Sequence, residues 1–339
     1  MREIDQLPAA RLSFFLCLLA VAVDAAGAAI APFPIKWGFY YDFACVALGL
    51  AVLGALFWAV IIRLDGDTAT PAVVILFTCG RLLEACAVTL VTIVFGGAVI
   101  LMSALAGAAG FPMQDPLFSS LDAALGFRWE PTVAWFNSSP LAVQLLVASY
   151  KSVGITIPIC LLFFIATGRS RELWRLVALM ALGAFFTAAI SCFVPAIGGY
   201  TYYGPDPKSV SEFLRAWPQA GTYFVAGLLE VHGRQFTTLD LSHVVGIVQF
   251  PSFHGIMALI LIIVARPYPL LFWPVLVVNV VMLASTVPVG GHHGVDVLGS
   301  LAVVAASLAI LEAVEGRPSF AARFSSWWRR WQPLPAAAA

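Results

Sequence analysis

Residues 290–311 read GGHHGVDVLGSLAVVAASLAIL, so two histidines and an aspartate directly precede an uncharged apolar run. Such a run approaches the length of about 20 residues that an α-helix needs to cross the hydrocarbon core of a membrane. The rest of the chain is similar: 61% of its 339 residues are hydrophobic and 11% are charged, and its mean hydropathy is +0.94. Soluble domains are far more polar. We therefore predict an integral membrane protein.

The predicted fold is all-α, a polytopic bundle of about eight transmembrane helices with further helices on its outer face. Each predicted span is an apolar run that is a candidate for a crossing of about 20 residues. The third run is long for one crossing, and it carries Arg81 and Glu84, which would pair at i, i+3 on a helix that extends beyond the bilayer. The eight runs lie near residues 12–31, 43–62, 72–108, 141–166, 173–194, 252–266, 268–286 and 295–314.

The predicted orientation follows from Lys and Arg residues, which concentrate in short cytoplasmic loops. The segments 168–175 and 317–332 and the residue Arg266 are basic, and eight spans place them all on one side. Both termini are then cytoplasmic. The first run could instead be a secretory signal with a cleavage site in AGAAIA at 26–31, but its length and Asp24 favour a retained helix. We expect a multi-pass protein of the cell's inner (plasma) membrane.

Four regions follow from this topology: N-terminal helices in 1–110, an outer interfacial segment at 111–140, a catalytic core at 141–316 with an outer loop at 195–251, and a basic cytoplasmic tail at 317–339. The interfacial segment mixes aromatic residues with acids, which predicts short helices in the headgroup layer. It could be a lid, a substrate platform or a structural belt.

The five histidines all fall on the predicted outer side, where His232 and His243 are interpreted as ordinary loop residues. His292 and Asp296 are four residues apart, so on one helical face the carboxylate can orient the imidazole and leave its second nitrogen free as a base or nucleophile. His254 could face it and protonate a leaving group. Neighbouring histidines point apart on a helix, so we expect no metal site and no cofactor.

Two motifs resemble those of the type-2 phosphatidic acid phosphatase superfamily. FPSFHG at 250–255 is similar to its Pro-Ser-x-His motif, and STVPVGGHHGVD at 285–296 is similar to its Ser-Arg-x5-His-x3-Asp motif. The resemblance covers the chain from about residue 140 and implies a six-helix phosphatase-like core. It also implies that His292 attacks phosphorus to form a phosphohistidine, that Asp296 orients it, and that His254 is the acid. The double histidine further resembles the inositol phosphorylceramide synthase branch.

The sequence departs from the family pattern where positive charge is needed. Thr286 replaces the motif arginine, and the first motif, Lys-x6-Arg-Pro, is matched only by Lys208 and Arg215, which Ala216 follows. The charge must therefore come from another residue, and Arg234 and His293 are alternatives. Ser252 and Ser285 complete the set of phosphate-binding candidates: Ser252, Ser285, His293, Lys208, Arg215 and Arg234.

The predicted function is hydrolysis or transfer of a lipid phosphate ester at the outer face, with a membrane lipid phosphate as substrate and an alcohol or headgroup as a further acceptor. A transporter with a proton relay is a second hypothesis, for which Asp24 and Lys151 are the clearest intramembrane candidates. A catalytically inactive scaffold is a third. No basic tract indicates nucleic acid. The oligomeric state is left open.

Overall fold

The computed structural model describes residues 7–31, 33–64, 70–234, 236–241, 244 and 246–317. Within these residues the protein is helical, with no extended strand and one isolated bridge between Ile35 and Leu239. The predicted all-α class is therefore confirmed. The helices are α1 (Pro8–Ile30), α2 (Gly38–Leu64), α3 (Thr70–Ala108), α4 (Asp115–Ala124), α5 (Trp129–Asn137), α6 (Pro140–Lys151), α7 (Val153–Thr167), α8 (Ser170–Phe193), α9 (Gly199–Tyr203), α10 (Ser211–Ala216), α11 (Val225–His232), α12 (Phe253–Ala265), α13 (Pro269–Ser285) and α14 (Gly294–Val314).

Every predicted span falls on a helix, but the described helices do not establish eight crossings. Five of them, α1, α2, α3, α8 and α14, are long and apolar enough to cross a membrane. The fourth predicted span is the pair α6 and α7, bent by 51° at a short break, and it gives a sixth crossing if the pair counts as one. The helices α12 and α13 are apolar but have only 13 and 17 residues, below the usual requirement of about 20.

The long helix α3 carries the predicted ion pair, which the structure confirms. Arg81 Nη1 lies 3.2 Å from Glu84 Oε2, and the carboxylate also accepts hydrogen bonds from Ser170 and Trp174 of α8. Glu84 is only 2% exposed. A buried carboxylate is stable only when such partners satisfy it. This cluster therefore fixes α3 against α8 at the end of α8 that lies away from the histidines.

The main apolar core lies between the long helices. It joins α1, α3 and α8 to α12 and α14, and Trp174, Leu179 and Ile260 are among its fully buried members. The helix α1 packs against α3 and α8, with Ser13 and Ala20 at zero exposure. The N-terminal helices are thus joined to the rest of the bundle by close packing.

Short helices and loops cover the end of the bundle where the histidines lie. The helices α4 and α5 form the segment that the sequence predicted to contain short helices, and α9 to α11 belong to the predicted outer loop. A second apolar cluster includes side chains of these short helices and contains Trp129, Phe213 and Val289. These elements enclose the loop between α13 and α14, which bears the two adjacent histidines. The predicted tail, 317–339, lies outside the described residues from residue 318 onward.

Candidate active site

His292 and Asp296 meet at the start of α14, as their spacing predicted. His292 Nδ1 and Asp296 Oδ2 are 3.0 Å apart, and the same carboxylate oxygen accepts a hydrogen bond from the backbone N–H of His293. Asp296 is fully buried and His292 is 2% exposed. Because the Asp296 carboxylate accepts a hydrogen bond from Nδ1–H, it orients the ring and leaves Nε2 as the reactive nitrogen.

His254 shares a cavity with His292. The cavity has a volume of about 420 Å³, and both imidazoles contribute to its lining together with Tyr223. The ring of His254 stacks on Tyr150, with 4.1 Å between centroids and 17° between planes. A Cβ on Gly290 would lie 2.8 Å from His292 Cδ2 and 2.9 Å from the Tyr150 hydroxyl. Tyr150 therefore lies beside both histidines, and the two motifs converge although some forty residues separate them.

His293 faces away from this cavity and is held by two carboxylates of α4. Its Nε2 lies 3.1 Å from Asp115 Oδ1 and its Nδ1 lies 3.7 Å from Asp122 Oδ2, and the side chain has no exposed surface. Burial alone lowers the pKa of His293, but the hydrogen bond that it donates to Asp115, the nearby carboxylate of Asp122 and the charge of Asp296 outweigh burial and raise the pKa to about 9. His293, a candidate phosphate ligand, is thus a buried cation whose ring nitrogens face the two carboxylates of α4.

Asp115 and Asp122 fasten α4 to two backbone segments as well. Asp115 accepts hydrogen bonds from the backbone N–H groups of Ile197 and Gly198. Burial raises the pKa of Asp115, but the His293 and backbone hydrogen bonds outweigh it and hold the pKa below its usual value. Asp122 accepts from Gly294 and Val295, at the positive end of α14, where a carboxylate is stabilised.

The loop that carries the histidines is held by three aromatic or backbone contacts from the outer helices and the outer loop. Trp129 Nε1 donates to the carbonyl oxygen of His292, 3.0 Å away, and the Tyr200 hydroxyl donates to Pro288. Gly291 adopts a φ of +77° and lies so close to Gly221 that a Cβ would come within 2.6 Å of its carbonyl oxygen. Only glycine fits this conformation and this contact.

The two serines of the motifs are fully buried and bonded to the backbone. Ser252 caps α12 by accepting from Gly255 N–H, and Ser285 donates to the carbonyl oxygen of Met282. Thr286, in the place of the motif arginine, donates likewise to Leu283. These hydroxyls stabilise helix ends, and none of them lines the cavity that contains His254 and His292.

The predicted cationic phosphate ligands lie outside that cavity. Lys208 is exposed in a 3₁₀ turn, and Arg215 pairs with Glu212 on the surface of α10. Arg234 follows α11 and donates to the carbonyl oxygen of Ala108. The structure therefore brings together His254, His292 and Asp296, and it separates Lys208, Arg215 and Arg234 from them.

The aromatic residues beside His254 are not evident from the sequence. The hydroxyls of Tyr150 and Tyr223 are 3.1 Å apart, and Tyr223 stacks on Trp217. Lys151, a candidate for a transporter relay, is exposed and places its ammonium group 4.5 Å from the centroid of that indole ring. No short motif joins these residues, since they come from α6 and from the outer loop.

These features define a helical membrane protein in which His254 and His292 line one cavity at an end of the bundle and Asp296 is bonded to His292. A comparison with protein families matches residues 116–310 to the PAP2 superfamily. The match covers more than half of the chain, so the chain belongs to the PAP2 superfamily, and its activity is of the phosphatase or phosphotransferase type. No curated protein and no solved structure matches the chain significantly.

Proposed function

We propose that this protein cleaves or transfers a phosphate ester of a membrane lipid through a phosphohistidine on His292, at the periplasmic face of the inner membrane. The observation that carries the proposal is the shared cavity: His292, already bonded to Asp296, and His254 both line it. Membership of the PAP2 superfamily supplies the phosphoryl chemistry, and the placement of Lys and Arg residues supports the outer face.

The first chemical step forms a bond between His292 Nε2 and phosphorus and breaks the bond between phosphorus and the lipid oxygen. His254 donates a proton to that oxygen, and Asp296 stabilises the positive charge that develops on His292. In the second step water attacks phosphorus, His254 takes up a proton, and phosphate leaves His292. Asp296 thus orients His292 in both steps, as the nucleophile in the first and as the leaving group in the second.

The protonation of His254 depends on the substrate. His292 and His293 each lie against a carboxylate, whereas His254 lies against the ring of Tyr150. Apolar surroundings disfavour the charged imidazolium, and a nearby anion favours it. We infer that the phosphate of the substrate brings the proton onto His254.

The hydroxyls of Tyr150 and Tyr223 take over part of the phosphate binding that the motif arginine provides in the family. Tyr223 lines the cavity with both histidines, and its hydroxyl bonds to that of Tyr150. Phenolic hydroxyls donate hydrogen bonds to anions. We infer that this pair holds phosphate oxygens, with Lys151 adding positive charge behind Trp217.

Transfer to an alcohol acceptor, as in the inositol phosphorylceramide synthase branch, is the second candidate. The observation that favours it is burial, since His292 is 2% exposed and most of the cavity lining is apolar. Limited access for water would leave the phosphohistidine for an alcohol held in the site.

The test is phosphate release from phosphatidate and undecaprenyl diphosphate by the purified protein in detergent without added metal. We expect His292→Ala to abolish release and His254→Ala to reduce it by about 10²- to 10⁴-fold. Full turnover in both variants would refute the assignment. Addition of inositol or diacylglycerol separates the two candidates, because a transferase moves the phosphoryl group of undecaprenyl diphosphate to the added alcohol and forms inositol phosphate or phosphatidate, whereas a hydrolase releases phosphate regardless.

A further inference from the structure

The cavity that contains the two histidines extends far from them along the helices. On α3 its lining runs from Val91 to Ser103, and on α8 from Leu176 to Ala188. Each stretch covers twelve residue steps, which corresponds to about 18 Å at the rise of an α-helix. The hydrocarbon part of one bilayer leaflet is about 15 Å deep. The cavity is therefore as long as one leaflet is deep.

The walls become apolar away from the histidine end. Ser103 and Thr187 lie near that end, and both bond through their hydroxyls to carbonyl oxygens of their own helices, Val99 and Gly183. The far end is lined by the aliphatic side chains of Val91, Leu161, Leu176 and Val177. Thr92 adds one hydroxyl group at that end, but no charged side chain of the described residues lines it, and a hydrocarbon chain replaces water there at a favourable free energy.

Small residues create the space. Gly96 of α3 and the alanines 181, 184 and 188 of α8 line the cavity where larger side chains would fill it. A Cβ on Gly96 would meet no atom within 4 Å. The adjacent Gly97 instead packs against the Tyr40 ring, so the two glycines face different neighbours.

Within the apolar helices, the cavity lining reaches the surface of the bundle between α3 and α7. Thr92 lines it and is exposed, and Ile157 on the opposite side is half-buried. Because both residues lie within apolar helices, this opening faces the hydrocarbon region of a membrane. A chain can therefore pass sideways from the bilayer into the cavity while its phosphate stays at the histidine end.

We propose that this cavity binds one extended hydrocarbon chain of the lipid phosphate substrate and that its α3 wall sets the preferred chain length. The proposal rests on the proposed function for its phosphate end. The helix α3 precedes the residues that match the PAP2 superfamily, which begin at 116. The N-terminal region, whose role the family motifs do not address, thus contributes directly to substrate selection.

The test fills the cavity at Gly96 and uses Gly80 as a matched control. Both glycines are half-buried on α3 and have open space at the Cβ position, but only Gly96 lines the cavity. The substrates are palmitoyl and butanoyl lysophosphatidate, which share a headgroup and differ in chain length. In the parent protein we expect kcat/KM for the palmitoyl lipid to be about 100-fold higher, because buried methylene groups contribute to binding.

We expect Gly96→Leu to lower kcat/KM for the palmitoyl lipid about tenfold or more and to leave the butanoyl lipid within about twofold, since only the long chain loses space. Gly80→Leu should change neither value. Equal losses for both lipids in Gly96→Leu, or no loss for either, would overturn the proposed chain site.

A binding measurement separates failure of the chain site from failure of the enzyme assignment. Hexadecyl phosphonate, which cannot be hydrolysed, should raise the melting temperature of the parent and of Gly80→Leu but not of Gly96→Leu. A protein that binds it in this pattern and hydrolyses neither lipid retains the chain site and refutes the proposed function. Hydrolysis of both lipids without any Gly96 effect refutes the chain site alone.

Discussion

His292 and His293 are adjacent in sequence but belong to opposite sides of the same loop. His292 turns one edge of its ring toward the cavity that it shares with His254, whereas His293 is enclosed between Asp115 and Asp122 of α4. The first has one carboxylate partner and one nitrogen left for chemistry. The second has a carboxylate opposite each nitrogen. Residue type and position in a motif therefore do not determine the role, because successive side chains diverge from the backbone.

The two sides are mechanically connected. Asp296 Oδ2 is shared by the His292 ring and the His293 backbone N–H, and Asp122 holds the following N–H groups at the start of α14. The α4 side thus fixes the geometry of the cavity side. Rigid support of this kind is what a reacting group requires.

The largest expected effect distinguishes the two histidines by activity. His292→Gln should lower phosphate release per folded molecule by more than about 10³-fold, because it removes the nucleophile. His293→Gln should lower it by no more than about tenfold, because it removes only support. Turnover of phosphatidate at equal amounts of folded protein measures both. Equal losses in the two variants would contradict the division of roles.

The second effect distinguishes them by stability. His293→Gln leaves Asp115 and Asp122 buried without their cation, which should destabilise the protein by about 3–5 kcal/mol. His292→Gln should cost less, since one carboxylate contact is lost. The measurement is thermal melting in detergent.

Arg215→Gln is the control for loss of a charge. It breaks the exposed pair with Glu212, for which we expect less than about 1 kcal/mol. If His293→Gln and Arg215→Gln have the same melting temperature, the contacts of His293 with Asp115 and Asp122 do not contribute to stability.

The third effect is a pH dependence from the α4 side. The pKa of His293 is raised to about 9, so its ion pairs contribute fully below the unfolded value of about 6.5 and are lost as the pH rises through 9. The shift corresponds to about 3 kcal/mol. The parent's melting temperature should fall over this interval, and that of His293→Gln should fall less. Parallel curves would refute the raised pKa.

The fourth effect tests the contact between the two sides. Asp296→Asn keeps the shape of the side chain but removes the charge that orients the His292 ring, so we expect turnover to fall about 100-fold. Melting temperature is measured in parallel, because Asp296 also accepts from His293 N–H. The double variant His292→Gln/Asp296→Asn should lose no more turnover than His292→Gln alone, because the two residues act as one unit.

The smallest effect concerns the hydrogen bond from Trp129 to His292. Trp129→Phe removes the indole donor and should destabilise the protein by about 1 kcal/mol. Trp135→Phe is its control, since Trp135 is 69% exposed on the same helix. Melting temperatures that fall equally in both variants would assign the effect to ring size alone.

The sequence predicted most helices because apolar runs of membrane length permit few structures other than a helix. It also predicted the contact between His292 and Asp296, because a spacing of four residues is a local property of a helix. Its count of eight spans stays a prediction, since α12 and α13 are apolar but shorter than a simple crossing and since apolar composition does not reveal where a helix ends.

Residue spacing does not show whether a cationic side chain lies at the cavity, and Lys208, Arg215 and Arg234 do not line it. Lys208 and Arg215 have the spacing of the family motif. On α10, however, Arg215 lies one turn after Glu212 and pairs with it. The partners of His293 come from α4, more than 170 residues away in sequence, and Tyr150 reaches His254 from α6. No periodicity encodes such contacts.

The amino-acid sequence by itself determined a helical membrane protein with an aspartate-oriented histidine, because helix length and i, i+4 spacing are properties of a single segment. Only the tertiary structure decided that His254 joins this pair, that His293 turns to α4, and that α3 lines the long cavity. Those outcomes depend on how distant helices pack, and packing is set by side-chain shape and burial across the whole bundle.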